Sequence, residues 1–229
     1  MARIARVVVP KIPHHIIQRG NRRQEVFFCR EDYEIYISLI REWCDKSGVQ
    51  IWAYCLMPNH IHLIATPETK EVLSRGIGEA HRRYTKMINF RQGWRGYLWQ
   101  GRFASFPMDK QYLMAAIRYI ELNPSRAKMV SKPWEYEWSS ARAHVEGKDD
   151  KLVKVKAVRL LKGTENWKEF LLRGIDENEM EELRRHEHTG QPLGEKSFIS
   201  KIENQIDRIF QRKKSGPKGP WKNKEKVKS

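Results

Sequence analysis

"YCLMPNHIHLIATP", residues 54–67, joins two strand-like runs through a short turn. Strand-forming residues run up to Met57, Pro58 and Asn59 supply a tight turn, and a second strand-like run begins at His60. "VQIWAYCLM" (49–57) and "HIHLIAT" (60–66) therefore predict a β-hairpin. Side chains alternate along a strand, so His60 and His62 leave the same face side by side. Neutral imidazoles so placed suit a metal ion. Histidines two apart also occur with no such role, and the pair alone decides nothing.

Outward from the hairpin, "HHIIQRG" (14–20) reads as a first strand. In "REDYEIYISLIREWCDKSG" (30–48), Tyr33, Tyr36, Ile37, Ile40 and Trp43 recur with helical spacing until Gly48. Residues 70–92 are helical in pattern, although Gly76 and Gly78 weaken their first half. "GRFASFPM" (101–108) is a short strand. A helix then starts at Asp109, a suitable N-cap, and stops at Pro124. This order predicts an α+β fold, an antiparallel sheet with helices on one face. We take residues 1–147 as one domain, 148–212 as a helical C-terminal region and 213–229 as a basic tail expected to be disordered in isolation. The tail reads equally well as a solubilising segment or as an arm lying on nucleic acid.

The 229 residues carry a net charge of +16, which favours a polyanionic partner, most often nucleic acid. A basic protein with no such partner is the plainer alternative. No apolar run is long enough to span a bilayer, and that of "MARIARVVVPKIP" is too short for a signal peptide's core, so a cytoplasmic protein is expected. Cys29, Cys44 and Cys55 form no Cys-x-x-Cys pair, which argues against a zinc knuckle or a redox pair.

Residues 81–103 interleave Arg82, Arg83, Lys86, Arg91, Arg95 and Arg102 with Tyr84, Phe90, Trp94, Tyr97, Trp99 and Phe103. Stacking platforms set among cations suit single-stranded nucleic acid. About half of these aromatics are expected in the core, given their burial free energy. Trp94 and Tyr97, beside glycines, are the candidates for base contact. Arg19, Arg22 and Arg23 make a second basic cluster, which would otherwise be a solvated turn.

The helix from Asp109 carries Tyr119 and Asn123, four residues apart and so on one face. Each has an ordinary explanation, a core tyrosine and a helix-ending asparagine before proline. Set opposite the histidine pair, they make a nucleophile and a third ligand. Asn59 is expected only to shape the turn. Gln100 and Glu121 could lie near the site, but Glu121 is two residues from Tyr119 and points to another face. His14, His15, His81, His144, His186 and His188 have no comparable setting. "HEH" at 186–188 repeats the spacing on a helical segment, where its histidines diverge.

"MPNHIHLIATP", "LWQGRFAS", "YLMAAIRYIELNPSRAKMV" and "WEYEWSSARAH" together resemble the REP-associated tyrosine transposases. These belong to the IS200-like single-tyrosine group of the HUH nucleases. The resemblance covers residues 10–145, and 150–215 more loosely. It implies a ferredoxin-like fold and a single-stranded DNA endonuclease and strand transferase that acts beside hairpins such as REP-like palindromes. It also implies a covalent 5′-phosphotyrosine link. By position, Tyr119 becomes the nucleophile, His60 and His62 the ligands of Mg²⁺ or Mn²⁺, and Asn123 the residue completing the metal site. The protein would act as a monomer or homodimer, and would bind DNA through the arginines, Lys86, Trp94 and Tyr97 named above. Three rivals stay open: a metal-dependent phosphoesterase without covalent catalysis, a non-catalytic hairpin-binding protein and a general RNA-binding protein.

Overall fold

The structure is a computed structural model, and it describes residues 6–156 and 166–210. The basic tail predicted at 213–229 lies outside the described residues. Four strands, β1 (His14–Arg19), β2 (Val49–Met57), β3 (His60–Pro67) and β4 (Ala104–Pro107), form one sheet in the order β2-β3-β1-β4. Every neighbouring pair is antiparallel. The hairpin closes through Pro58 and Asn59, with Met57 opposite His60.

Helix α1 (Arg30–Ser47) joins β1 to β2, and α2 (Val72–Gln92) joins β3 to β4. Both pack on the sheet face formed by Ile16, Tyr54, Leu56, Leu63 and Ala65. This is the expected ferredoxin-like layer, with both crossover helices on one side. Gly76, expected to weaken α2, sits where the two helices meet. A Cβ there would lie 3.2 Å from the Trp43 carbonyl oxygen, so glycine permits the close approach.

Helices on one face describe only half of the layering. Ile17, Cys55 and Ile64 make the other face apolar as well, and it too must be covered. Helix α3 (Lys110–Glu121), the short α4 (Asn123–Arg126) and α5 (Ala141–Glu146) follow β4. Beyond them lie α6 (Trp167–Leu172), α7 (Glu177–Thr189) and α8 (Lys196–Ile206). Leu113, Ile117 and Ile120 of α3, with Trp167, Leu171 and Leu183, close over that second face. Fully burying each such side chain contributes about 1.5–3 kcal/mol. Val7 and Val9 pack separately on Ile202 of α8, and the buried His14 ties this segment down. His14 accepts from the Val9 N–H at 3.1 Å and donates to the Ile12 carbonyl at 2.7 Å. Among the described residues, no helix is long and apolar enough to cross a membrane.

The end of α3 is held by a buried carboxylate. Glu121 accepts from Ser140 Oγ (2.6 Å), His144 Nδ1 (2.5 Å) and Trp167 Nε1 (2.8 Å). One side chain thus ties α3 to α5 and α6. Removing it leaves the His144 and Trp167 donors buried without an acceptor, while Ser140 Oγ keeps only its longer 3.3 Å contact with the Tyr54 carbonyl. Glu121→Ala should lower unfolding free energy by about 3–5 kcal/mol, measured by urea titration. A loss under about 1 kcal/mol would show that these bonds are not what fixes α3.

Candidate active site

The β1–β3 register sets Ile17 opposite His62 and Arg19 opposite His60. His15 lies on the same face, two residues before Ile17. The His60 and His62 rings meet edge to face with centroids 5.1 Å apart. His60 Nδ1 lies 2.6 Å from Asn59 Oδ1. The Asn59 amide is oriented by its Nδ2, which donates to the Arg23 carbonyl at 3.3 Å. Its oxygen therefore faces His60, so His60 donates from Nδ1 and keeps its lone pair on Nε2. Asn59 thus does more than shape the turn.

His62 is buried, and its Nδ1 shares a 2.9 Å hydrogen bond with His15 Nε2. When His62 donates in that bond, its Nε2 is free as well. Burial pushes His60 down to about 4 and His15 to about 3. His62 is held well below its usual value by burial, and then by His15, His60, Arg19 and Arg126. All three rings are neutral at neutral pH, the form that ligates metal. No spacing in the sequence links His15 to His62; only strand pairing does.

Tyr119, on α3, faces this group. Its ring is 5.8 Å from that of His62 and perpendicular to it. It is 6.2 Å from that of His15. Burial raises the phenol above its ordinary value, as does Glu187. A hydrogen bond from Arg184 and the charges of Arg126 and Arg184 oppose the rise. The Arg126 guanidinium sits 4.6 Å over the Tyr119 ring. Asn123 lines the same cleft, and its Nδ2 is buried without a partner. Glu121 points to the opposite side of α3, as its spacing predicts.

Helix α7 supplies what the sequence reading missed. The two histidines of "HEH" do diverge: His186 is buried beside Phe106 and bonds the Gln191 carbonyl, while His188 lines the cleft. The residue between them is the one that reaches the site. Glu187 Oε1 lies 4.0 Å from His62 Nδ1 and has no hydrogen-bond partner. Burial pushes this carboxyl up to about 7, against the pull of Arg19 and Arg184. His15, His62 and Glu187 offer three ligand atoms within 4.8 Å of one another. The available signal was helical spacing: Arg184 and Glu187 are three apart, and Arg126 continues the face of Tyr119 and Asn123.

The cleft encloses about 1180 Å³ and takes in His60, His62, Tyr119, Asn123, Glu187 and Gln100. Of the arginines expected to meet DNA, Arg19, Arg23 and Arg102 line it. Three others already have partners. Arg82 and Arg83 pair with Glu79, and Arg91 pairs with both oxygens of the buried Asp32, tying α2 to the start of α1. Arg22, Lys86 and Arg95 are exposed away from the cleft. Tyr84, Trp99 and Phe103 belong to the core, whereas Phe90, Trp94 and Tyr97 are exposed. Trp94 stands edge-on to Phe28.

A family profile described as "Transposase IS200 like" matches residues 8–123, just over half of the chain. One similar solved structure is a REP-associated tyrosine transposase bound to a REP hairpin. It is 19% identical, the match covers 67% of this chain and 92% of that one, and the TM-score is 0.52. Another, a candidate transposase from Deinococcus radiodurans R1, is 21% identical over 52% of this chain and 96% of that one, with a TM-score of 0.37. No curated protein matches. The first likeness carries the α+β fold. The profile spans the whole sheet, the histidine pair and Tyr119, and the chain belongs to the IS200-like transposase family.

Proposed function

We propose that this protein cuts and rejoins single-stranded DNA beside hairpins, with Tyr119 as nucleophile and His60, His62 and Asn123 as ligands of Mg²⁺ or Mn²⁺. One observation carries the reading: a buried phenol faces a pair of neutral imidazoles inside an arginine-lined cleft. The donor set suits a divalent ion. Asn59 leaves the His60 Nε2 lone pair free, and Asn123, which lines the same cleft, carries an amide oxygen of the kind such ions accept. Imidazole is a soft ligand for Mg²⁺, so Mn²⁺ is the better fit. Once bound, the ion makes the phosphate a better electrophile and offsets the charge that builds up in the transition state.

The chain's own residues do the rest. The Tyr119 oxygen attacks phosphorus as its proton leaves to solvent. The P–O3′ bond breaks, and the freed oxygen takes up a proton to become a 3′-hydroxyl. The 5′-phosphate stays on the tyrosine, so the energy of the phosphodiester is kept for rejoining. Attack by a 3′-hydroxyl reverses the step. Arg19, Arg23 and Arg102 hold the strand by its phosphates. Exposed Trp94 and Tyr97 offer faces on which bases stack. A hairpin partner is supported by the solved relative, which is bound to one. Three free cysteines, two of them buried, suit the cytoplasm.

Tyr119→Phe should abolish the covalent adduct with hairpin-bearing oligonucleotides in Mn²⁺, scored on a denaturing gel. Oligonucleotide affinity by anisotropy should change by less than about threefold. An adduct that persists in this variant would end the proposal. The phenol is raised and must lose a proton to attack. Adduct formation should therefore accelerate with pH through the range 7–9 without levelling off; a plateau near 7 would assign the limiting proton to another group. Asn59→Ala releases the His60 ring and should raise the Mn²⁺ concentration for half-maximal rate about tenfold. An unchanged requirement would remove Asn59 from the site.

A further inference from the structure

We infer that Arg126 and Arg184 form a phosphate site at Tyr119, one guanidinium stacked on the ring and the other at the hydroxyl, and that they grip the phosphodiester being cut. The inference rests on the reading of Tyr119 as nucleophile. Neither arginine lies within the span matched by the family profile, which ends at Asn123.

Six arginines outside the cleft are met by carboxylates: Arg30 by Glu34 and Glu137, Arg41 by Asp45, Arg82 and Arg83 by Glu79, Arg91 by Asp32, and Arg185 by Glu182. Those around Tyr119 are not. Arg19, Arg126 and Arg184 have no ion-pair partner among the described residues, although their fields all reach Glu187. Among the described residues, Glu187 is the one acidic residue in a lining that includes seven arginines. Like charges gathered in a concave, partly buried space repel one another until an anion enters. A planar guanidinium donates in the fork geometry that phosphate accepts, so arginine fits this task better than lysine.

Position narrows the assignment. An attacking oxygen must come within about 3–3.5 Å of phosphorus. Arg184, which lines the cleft beside the Tyr119 hydroxyl, and Arg126, 4.6 Å over the ring, therefore stand where the non-bridging phosphate oxygens would lie. Both also favour the phenolate over the phenol. Arg126 comes from α4, just past the Tyr119 helix, and Arg184 from α7. The C-terminal region thereby completes the reacting centre.

The test uses the full-length protein with Arg126→Gln and Arg184→Gln, and with Arg126→Lys and Arg184→Lys as variants that keep charge and bulk. The first readout is binding of inorganic phosphate without divalent metal, by calorimetry. The glutamine variants should bind at least about tenfold more weakly. The second is single-turnover adduct formation at saturating hairpin oligonucleotide. The rate constant should fall about 100-fold in the glutamine variants and less in the lysine variants. Oligonucleotide affinity should move by under about threefold, because many other phosphate contacts remain. Wild-type phosphate affinity and adduct rates within threefold of wild type in all four variants would overturn the inference, and leave the Tyr119 reading in place. Loss of phosphate binding in variants of a wild-type protein that forms no adduct would do the reverse: the anion site would stand and the transesterification reading would fall.

Discussion

Residues 14–19 pair with residues 60–65 in a single antiparallel register, and the site depends on it. Side chains on a strand alternate with a period of two. Slipping β1 by one residue would send His15 and Arg19 toward the α1–α2 core and break the His15–His62 bond. The register is held because both sheet faces are apolar but differently filled. Ile16, Leu63 and Ala65 fit beneath α1 and α2, whereas Ile17 and Ile64 fit against α3. The chemistry then occupies the end of that second face, beyond its apolar part.

Burial and charge act together there. Desolvation keeps His15, His60 and His62 neutral, and for His60 and His62 the neighbouring arginines press in the same direction. A neutral ring beside cations can still offer a lone pair to a metal, which a protonated ring cannot. Burial raises Tyr119, so the arginines at its ring and hydroxyl work against the environment that holds the phenol in place. Glu187 feels the same burial with the opposite consequence, retaining its proton to about neutrality despite three arginines nearby. The net charge of +16 is thus not one signal. Part of it ties α2 to α1 through Asp32 or is met within α2 by Glu79, and part is collected in the cleft around Tyr119, where Glu187 stands among the arginines.

Helix α3 links the two halves of this arrangement. Tyr119 leaves one side of it toward the histidines, while Glu121 leaves the other toward Ser140, His144 and Trp167. A buried carboxylate that accepts three side-chain hydrogen bonds therefore sits two residues from the phenol it helps to place. Leu183 of α7 enters the same apolar cluster as α3, which brings Arg184 and Glu187 to Tyr119.

Local pattern alone specifies the hairpin, the two crossover helices, the Tyr119 helix and the shared face of His60 and His62. Each of these follows from local periodicity, a turn or a cap, and these act over a few residues. It also separated Glu121 from Tyr119, since helical spacing alone sets their directions. The tertiary structure alone decided that His15 bonds His62, that Glu187 between two diverging histidines enters the cleft, and that Arg91 is held by Asp32 while Arg126 is not. Those outcomes join segments 47, 125 and 59 positions apart for His15–His62, His62–Glu187 and Asp32–Arg91. No spacing rule spans such distances; strand register and the packing of a second helical layer do.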